Sequence, residues 1–403
     1  MPRKFARFTV FLLILSALSL FTVAQDTTEL ETNAVECVTE YAEGVDYFPE
    51  KATFEDAQNV AVEYFDHYKV VSVNGGMGDI FTYVLVQCGT PEPETDAIPE
   101  DTAIIEVPTG RVIALSTTQI VHLVELGLLD QLAGLDSFLY VNAPEVRALI
   151  DEGEQLVEVA PEFSLNIEIV LEAEPEIVLT DDFDRDRLTA LADAEIFAAV
   201  NTDYLEQTPL GRAEWIKYTA LFYNAEAEAT AVYDEIVANY EDARALAASV
   251  PADERPVVLW NAISPFSDTW GIPGADTYAG TLIQDAGGII ALIDQAEAGT
   301  AFLAFEVVYE GALDADIWVT NLFAVNTLED ILAIDARYED FAAVETGEVW
   351  NNDADVNENG GSNYFERGVT NPDIVLRDLV ALFHPELLPD HEFAFFRRVA
   401  AGE

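Results

Sequence analysis

One pattern occurs twice in this chain, roughly 140 residues apart, and it limits the folds that the chain can adopt. The copies read SLNIEIVLEAEPEIVLTDD and FLAFEVVYEGALDADIWVTNL. In each, a glutamate (Glu168 or Glu306) opens a short amphipathic helix, and a helix-breaking joint leads to a hydrophobic strand at 177–180 or 317–320. Two lobes built alike predict a cleft between them, where ligands are held. The pattern therefore predicts a binding protein.

Residues 1–24 have the form of a secretory signal peptide. A basic segment, MPRKFAR, precedes the apolar stretch Phe8–Leu20, and small residues allow cleavage before Gln25. The stretch is short for a membrane span. The first cysteine is Cys37, so we do not expect a lipid-modified N-terminus. We predict export to the periplasmic or extracellular face and a soluble mature protein.

The charge of the chain excludes two classes of partner. The formal net charge is −57, which repels nucleic acid and anionic lipid surfaces. The acidic residues are spread along the chain, which is typical of a solvated acidic surface, although an acidic cleft for a cationic ligand is the alternative. Cys37 and Cys88 are the two cysteines, and in an oxidising compartment they form one disulfide or remain free thiols.

Strand and helix patterns alternate along most of the mature chain, which predicts mainly parallel sheets covered by helices. They include a strand at 138–141 and a helix capped by Thr118. An uninterrupted helical pattern follows Gly211, and about 36 residues would span roughly 50 Å as a rigid strut. We predict these segments: signal peptide 1–24, N-terminal extension and acidic linker 25–102, N-terminal lobe 103–205, connecting helix 206–250 and C-terminal lobe 251–403.

Three stretches carry a resemblance to a known family: RVIALSTTQIVHLVELGLLDQLAGLDS, TYAGTLIQDAGG and GGSNYFERGVTNPDIVLRDLVALFHPELLP. Together with EAEPEIVLT, these stretches resemble the solute-binding proteins of ABC importers for ferric siderophores, haem and cobalamin. The resemblance covers roughly residues 103–395. The resemblance implies an α/β fold of two similar lobes joined by one long rigid α-helix. It also implies delivery of the ligand to an ABC permease, with Glu168 and Glu306 as docking carboxylates. The alternative is that each glutamate only complements the dipole of its helix.

Ligands of open α/β lobes meet the loops after the carboxyl ends of strands. Aromatic rings with a few amides and hydroxyls in those loops suit a large, flat or chelated ligand. Arg367 is the basic group placed for an anionic ligand, or it pairs with a nearby acid. The sequence does not choose among siderophore, haem and cobalamin. The predicted contacts are Ser116, Thr117, Thr118, Asp182, Phe183, Trp260, Asn261, Trp270, Tyr278, Asn321, Asn352, Tyr364 and Arg367.

Other interpretations are a calcium or ligand sensor and an exported hydrolase that uses cleft carboxylates. No G-x-S-x-G or H-E-x-x-H motif occurs. A zinc or manganese site needs several histidines, and the chain has four. We therefore expect a monomeric binding protein with no catalytic residues, cofactor or structural metal. A calcium-loop spacing is matched by Asp355, Asn357, Asn359, Gly360 and Glu366, although the Gly-Gly turn explains the same residues.

Overall fold

The computed structural model describes residues 30–93, 102–153, 156–161, 164–264, 267–296 and 298–402. The predicted signal peptide and most of the acidic linker lie outside these residues. The described chain forms an N-terminal β-domain, two α/β lobes and a helical segment that connects the lobes. Within these ranges, no helix combines the length and the apolar character needed to cross a membrane.

The N-terminal domain is one four-stranded sheet. Its strands are β1 (Val60–Tyr64), β2 (Tyr68–Asn74), β3 (Ile80–Gln87) and β4 (Ala103–Val107). The first three pair antiparallel, and β4 adds to β3 in parallel. A disulfide between Cys37 and Cys88 ties the segment before β1 to the end of β3. Residues 103–107, which we predict as the start of the N-terminal lobe, thus complete this sheet.

The N-terminal lobe is a fully parallel sheet with strand order β7-β6-β5-β8-β9. Its strands are β5 (Val112–Ala114), β6 (Leu132–Leu135), β7 (Val157–Glu158), β8 (Ile177–Thr180) and β9 (Ala198–Val200). Its helices are α1 (Thr117–Glu125), α2 (Pro144–Glu152), α3 (Ile167–Ala173) and α4 (Arg185–Asp193). The N-cap of α1 is Ser116 rather than the predicted Thr118.

The predicted strand at 138–141 is wrong, because the second strand of this lobe is Leu132–Leu135, whose four residues are all buried. Residues 138–140 instead form a turn whose backbone polar groups bind side chains. The Glu158 carboxylate accepts from the Phe138 amide, and Arg147 donates to the Phe138 carbonyl. Hydrogen bonds to side chains thus replace the backbone hydrogen bonds that a strand would make with its neighbour.

The connecting segment is helical but is not one helix. It consists of α5 (Pro209–Ala213), α6 (Trp215–Leu221) and α7 (Glu226–Ala247). The break before α7 contains Asn224 in the left-handed region, with φ 55°. Asparagine tolerates this conformation better than most residues. The Asn224 side-chain amide donates to Gln87 and to the carbonyl of Ala34, so contacts with the N-terminal domain hold the break in place.

α7 is the strut between the lobes. Its 22 residues span about 33 Å, less than the uninterrupted helix that the sequence predicts. Ala229, Tyr233 and Ile236 pack into a core shared by the N-terminal domain and the N-terminal lobe. The later residues Tyr240 and Ala243 pack into the core of the C-terminal lobe. Because one helix is built into both cores, it limits the relative motion of the lobes.

The C-terminal lobe resembles the first but has the strand order β12-β10-β14-β15-β16, with one strand rather than two on the outer side of its first strand, β10. Only β16 is antiparallel to its neighbour. The strands are β10 (Val257–Trp260), β11 (Trp270–Pro273), β12 (Ile289–Ile290), β13 (Thr300–Leu303), β14 (Ile317–Thr320), β15 (Val349–Asn351) and β16 (Arg397–Arg398), with β11 and β13 as a separate antiparallel pair. The helices are α8 (Tyr278–Asp285), α9 (Phe305–Ala312), α10 (Leu328–Ile334), α11 (Ala342–Thr346), α12 (Asn363–Thr370) and α13 (Pro372–Phe383).

The sequence repeat corresponds to a structural repeat. β8 lies between β5 and β9, and β14 lies between β10 and β15, so each repeat strand lies between the first strand of its lobe and the following one. α3 precedes β8, and α9 precedes β14. The predicted fold class, two similar α/β lobes with mainly parallel sheets, is confirmed.

Candidate functional site

Each lobe has a topological switch point where ligands of such sheets bind. In each lobe, the second strand of the sheet is added on one side of the first strand, and later strands are added on its other side. The switch point lies between β5 and β8 in the N-terminal lobe and between β10 and β14 in the C-terminal lobe. The crevice outside the carboxyl ends of such strands is the usual ligand site. Two pockets lie along these ends, and we name them the C-lobe pocket and the interlobe pocket.

The C-lobe pocket has a volume of about 300 Å³. Its walls come from the ends of β10, β14 and β15, the β11–β13 pair, α8, α12 and α5. The lining residues are Arg212, Trp260, Asn261, Pro273, Thr277, Tyr278, Ala279, Thr300, Val319, Thr320, Asn321, Asn352, Tyr364, Phe365 and Val369.

The interlobe pocket, of about 450 Å³, receives residues from both lobes. Asn321, Asn352 and Phe365 line both pockets, so the two share one wall. Both volumes fall within the usual range for small-molecule sites. The lining residues are Thr117, Tyr140, Asn321, Leu322, Phe323, Ala324, Asn326, Asn352, Asp353, Val356, Asn357, Glu358, Gly360, Gly361, Ser362 and Phe365.

Seven of the predicted contacts line these pockets: Thr117, Trp260, Asn261, Tyr278, Asn321, Asn352 and Tyr364. Asn261 adopts the left-handed region, with φ 65°, directly after β10. Backbone strain of this kind in a residue other than glycine concentrates at ligand sites. Whether these side chains touch a ligand stays a prediction.

Trp270 is a correction, because it does not line either pocket. Its ring is fully buried in the core of the C-terminal lobe, where it packs 5.6 Å from the ring of Trp318. Its indole N–H donates to the carbonyl of Trp260. The β11–β13 pair folds Trp270 behind the wall that Trp260 forms, so only Trp260 reaches the pocket.

Arg367 is a second correction. It lies on α12 but is exposed and lines neither pocket. Its charge acts on Glu125 and Asp373, whose pKa values are raised by burial and lowered in part by this arginine.

Asp182 and Phe183 follow β8 but also lie outside the pocket walls. The buried Asp182 carboxylate accepts from the Gly76 amide, at 2.9 Å, and from the Tyr204 hydroxyl. It therefore attaches the β2–β3 turn to the N-terminal lobe. Phe183 is 68% exposed and packs against the Tyr204 ring at a centroid distance of 4.0 Å.

Ser116 and Thr118 lie at the start of α1 but not in the walls. Their hydroxyls are 3.0 Å apart, and Thr118 donates to the carboxylate of Asp203. Burial raises the pKa of Asp203 to about 6, while the charge of Arg212 and the hydrogen bond from Thr118 act in the opposite direction.

Arg212 is the charged residue of the C-lobe pocket wall, and the sequence pattern does not single it out because it reads as one position of a continuous helix. α5 places its guanidinium over the Tyr278 ring, 4.4 Å from the centroid. Its side chain donates to the carbonyls of Tyr204 and Glu206. The signal that could have found it is a basic residue in a strongly acidic chain, at the start of the predicted long helix.

The lobes are held together by Glu366 of α12. This buried carboxylate accepts from the amides of Asn142 and Ala143, each at 2.7 Å, at the start of α2. Burial raises the pKa of Glu366, and these hydrogen bonds lower it in part. A second link runs from the Asn357 amide to the carbonyls of Leu139 and Val141.

These links change the interpretation of the calcium-loop spacing. Glu366 is engaged by the other lobe, and the Asn357 oxygen accepts from the amides of Asn359 and Gly361. Among the described residues, no cluster of three or more His, Cys, Asp or Glu side chains is placed to hold a metal ion. The segment 355–362 is therefore an interlobe turn, built around Asn357, and Glu366 lies in the helix α12 that follows it.

The two repeat glutamates occupy equivalent places. Glu168 is the second residue of α3 and Glu306 is the second residue of α9, and both are exposed. Glu306 also lies 3.5 Å from Arg337 in an exposed ion pair. Their exposure leaves both available to a partner.

Comparison with known proteins identifies the class. A family model described as periplasmic binding protein matches residues 112–356. The chain therefore belongs to the periplasmic binding protein family. It is 25% identical over 365 residues to an uncharacterized lipoprotein of Methanocaldococcus jannaschii, covering 84% of each chain. Family and relative together indicate an exported binding protein rather than the sensor or hydrolase alternatives.

Solved structures share the fold. A possible iron-binding, periplasmic solute-binding protein from Staphylococcus epidermidis aligns with a TM-score of 0.53 and 16% identity, over 69% of this chain and 99% of that one. A periplasmic haem-binding protein from Pseudomonas aeruginosa aligns with a TM-score of 0.52 and 17% identity, over 69% and 93%. At these identities the likeness establishes the two-lobed architecture and leaves the ligand open.

Proposed function

We propose that this protein captures an iron complex, either a ferric siderophore or haem, or else cobalamin, between its lobes and delivers it to an ABC importer. The observation that carries the proposal is the pair of adjoining pockets at the carboxyl ends of both sheets. Their walls combine aromatic rings with amides and hydroxyls, which suits a large chelate that needs apolar contact and a few orienting hydrogen bonds. Proteins of the same fold are named for iron and haem binding.

Titration of tryptophan fluorescence in the purified protein tests capture. Trp260 lines the C-lobe pocket, with Trp270 directly behind it. The probes are a ferric catecholate, a ferric hydroxamate, a ferric carboxylate siderophore, haem, cobalamin and calcium chloride. We expect saturable quenching by one of the chelates and no response to calcium. A flat response to all five chelates would overturn the proposal.

Delivery is proposed to use Glu168 and Glu306 as the docking carboxylates. Their support is equivalent placement in the two lobes together with exposure, a symmetry that helix capping alone does not require. In cells that carry the importer, Glu168→Ala combined with Glu306→Ala should abolish uptake and leave ligand affinity unchanged. The matched control changes Glu172 and Glu310, which are exposed on the same two helices. Unimpaired uptake in the first double variant would exclude this docking mode.

A further inference from the structure

The walls of the C-lobe pocket differ in charge from the rest of the protein. Nearly one residue in five of the chain is acidic, so about three of fifteen wall residues would be expected to carry a carboxylate. Among the described residues that line this pocket, none does, and one is arginine. The adjoining interlobe pocket, by contrast, contains Asp353 and Glu358. The C-lobe pocket is therefore a neutral to positive region in a protein of formal charge −57.

The arginine is held in one orientation. Its Nε donates to the Glu206 carbonyl at 3.2 Å and Nη2 donates to the Tyr204 carbonyl at 3.1 Å, while the guanidinium plane lies over Tyr278. Nη1 has no hydrogen-bond partner among the described residues. A guanidinium fixed in this way loses little conformational entropy when it binds a carboxylate.

The neighbouring groups do not neutralise this charge within the walls. Burial raises the pKa of Tyr278 to about 12, so its hydroxyl stays protonated at neutral pH. Asp203 acts on Arg212 electrostatically but lies outside the walls. The Asn321 and Asn352 side chains line the pocket without a hydrogen bond to another described residue, so their amides are available to orient a polar ligand.

We propose that the C-lobe pocket binds an anion, with Arg212 holding a carboxylate of the ligand, so that the captured chelate carries a negative charge. This inference rests on the proposed capture of an iron complex. It favours anionic chelates, such as haem, through its propionates, and ferric carboxylate siderophores, over uncharged chelates. Uncharged chelates, such as ferric trihydroxamates, would cover the arginine without giving its charge an anionic partner, which is costly.

Two matched pairs of probes test the proposal. Haem is compared with haem dimethyl ester, which has the same macrocycle without free carboxylates, and a ferric carboxylate siderophore with an uncharged ferric trihydroxamate. We expect the anionic member of one pair to bind more tightly. Arg212→Gln should weaken that binding by about tenfold or more, as expected for a charge-assisted hydrogen bond. Its effect on the member without free carboxylates should stay within about twofold.

Arg367→Gln is the control, because Arg367 lies on α12 outside the pocket walls. Arg212→Lys, which keeps the charge without the planar fork, should recover part of the affinity. An equal loss for both members of a pair would mean that Arg212 only supports the wall. Tighter binding of the members without free carboxylates would also overturn the proposal.

An arm without iron separates this proposal from the proposed function. Thermal unfolding is measured with citrate and with spermidine, in the natural protein and in Arg212→Gln. Millimolar citrate should raise the melting temperature of the natural protein by roughly 2 °C more than that of the variant, and spermidine should not. No difference with citrate would exclude the anion site. A difference with citrate but no binding of any chelate would retain the anion site and refute iron capture.

Discussion

A buried ion pair between Lys69 of β2 and Glu226 attaches the N-terminal domain to α7, beside the hydrogen bonds described above. Both side chains are fully buried, and the Lys69 ammonium lies 2.7 Å from the carboxylate. It also donates to the Leu221 carbonyl and the Asn224 amide oxygen. Lys69→Met keeps most of the side-chain volume but removes the charge. Glu226 would then keep only weaker hydrogen bonds in a site closed to water.

The expected cost follows from the desolvation of that carboxylate. After the substitution, the described partners of Glu226 are the Asn33 amide at 2.8 Å and the Tyr64 hydroxyl at 3.4 Å. Removing one member of a buried pair costs about 3–5 kcal/mol, because the other charge stays buried without compensation. Combining Lys69→Met with Glu226→Gln removes both charges, and it should cost less than Lys69→Met alone.

Urea unfolding and hydrogen exchange together measure this cost. With a slope of about 2–3 kcal/mol per molar urea, the transition of the N-terminal domain should move down by roughly 1–2 M. Amide protection should fall in β2 and β3 before it falls in the C-terminal lobe. The control is Arg244→Met, which breaks an exposed pair with Glu241 and should cost less than about 1 kcal/mol. Equal costs for Lys69→Met and Arg244→Met would refute the argument.

Two further predictions concern the lobes and their pH dependence. Glu366→Ala should weaken the contact between α12 and the start of α2 by about 2 kcal/mol, because two charge-assisted hydrogen bonds are lost. Small-angle scattering should show a larger distance between the two lobes. The control, Glu358→Ala, should leave that distance unchanged. Asp203 has a folded pKa of about 6, above its ordinary value of 3.8, so its contribution lowers stability as pH rises from about 4 to about 6. Asp203→Asn should therefore stabilise the protein by about 2 kcal/mol at pH 8 and by less at pH 4, as thermal unfolding would show.

The elements that the sequence predicts well are those whose signal is local. The strands 177–180 and 317–320 are four-residue apolar runs, buried at every position, between a helix and a polar loop, and their bounds match the structure. The break before α7 has no such signal. It depends on Asn224 meeting Gln87 and Ala34, which are 137 and 190 residues away along the chain. A helical pattern therefore predicts the helix but not its interruption.

The candidate site likewise combines features that have a local sequence signal with features that depend on tertiary packing. Loops after parallel strands correctly indicate the edge at which the pockets lie. Which aromatic ring faces the pocket depends on tertiary packing: Trp260 and Trp270 both lie at strand ends, yet the β11–β13 pair buries only Trp270 completely. Arg367 lies on α12, and Arg212 lies on α5, which packs against α12. Only the tertiary placement of α5 brings Arg212 into the pocket wall, and the sequence does not show that placement.

The N-terminal domain lies outside the matched family region, yet its contacts lead to the pocket. The Glu206 carboxylate accepts from the amides of Gln58 and Asn59, and the Glu206 carbonyl accepts from Arg212. On the other side of α5, the buried Glu214 carboxylate accepts from the amides of residues 55–57. Both ends of the helix that carries Arg212 are therefore fixed by the N-terminal domain. Because a guanidinium selects a carboxylate only when its fork is held in place, we expect the domain to contribute to the proposed anion recognition without lining the pocket.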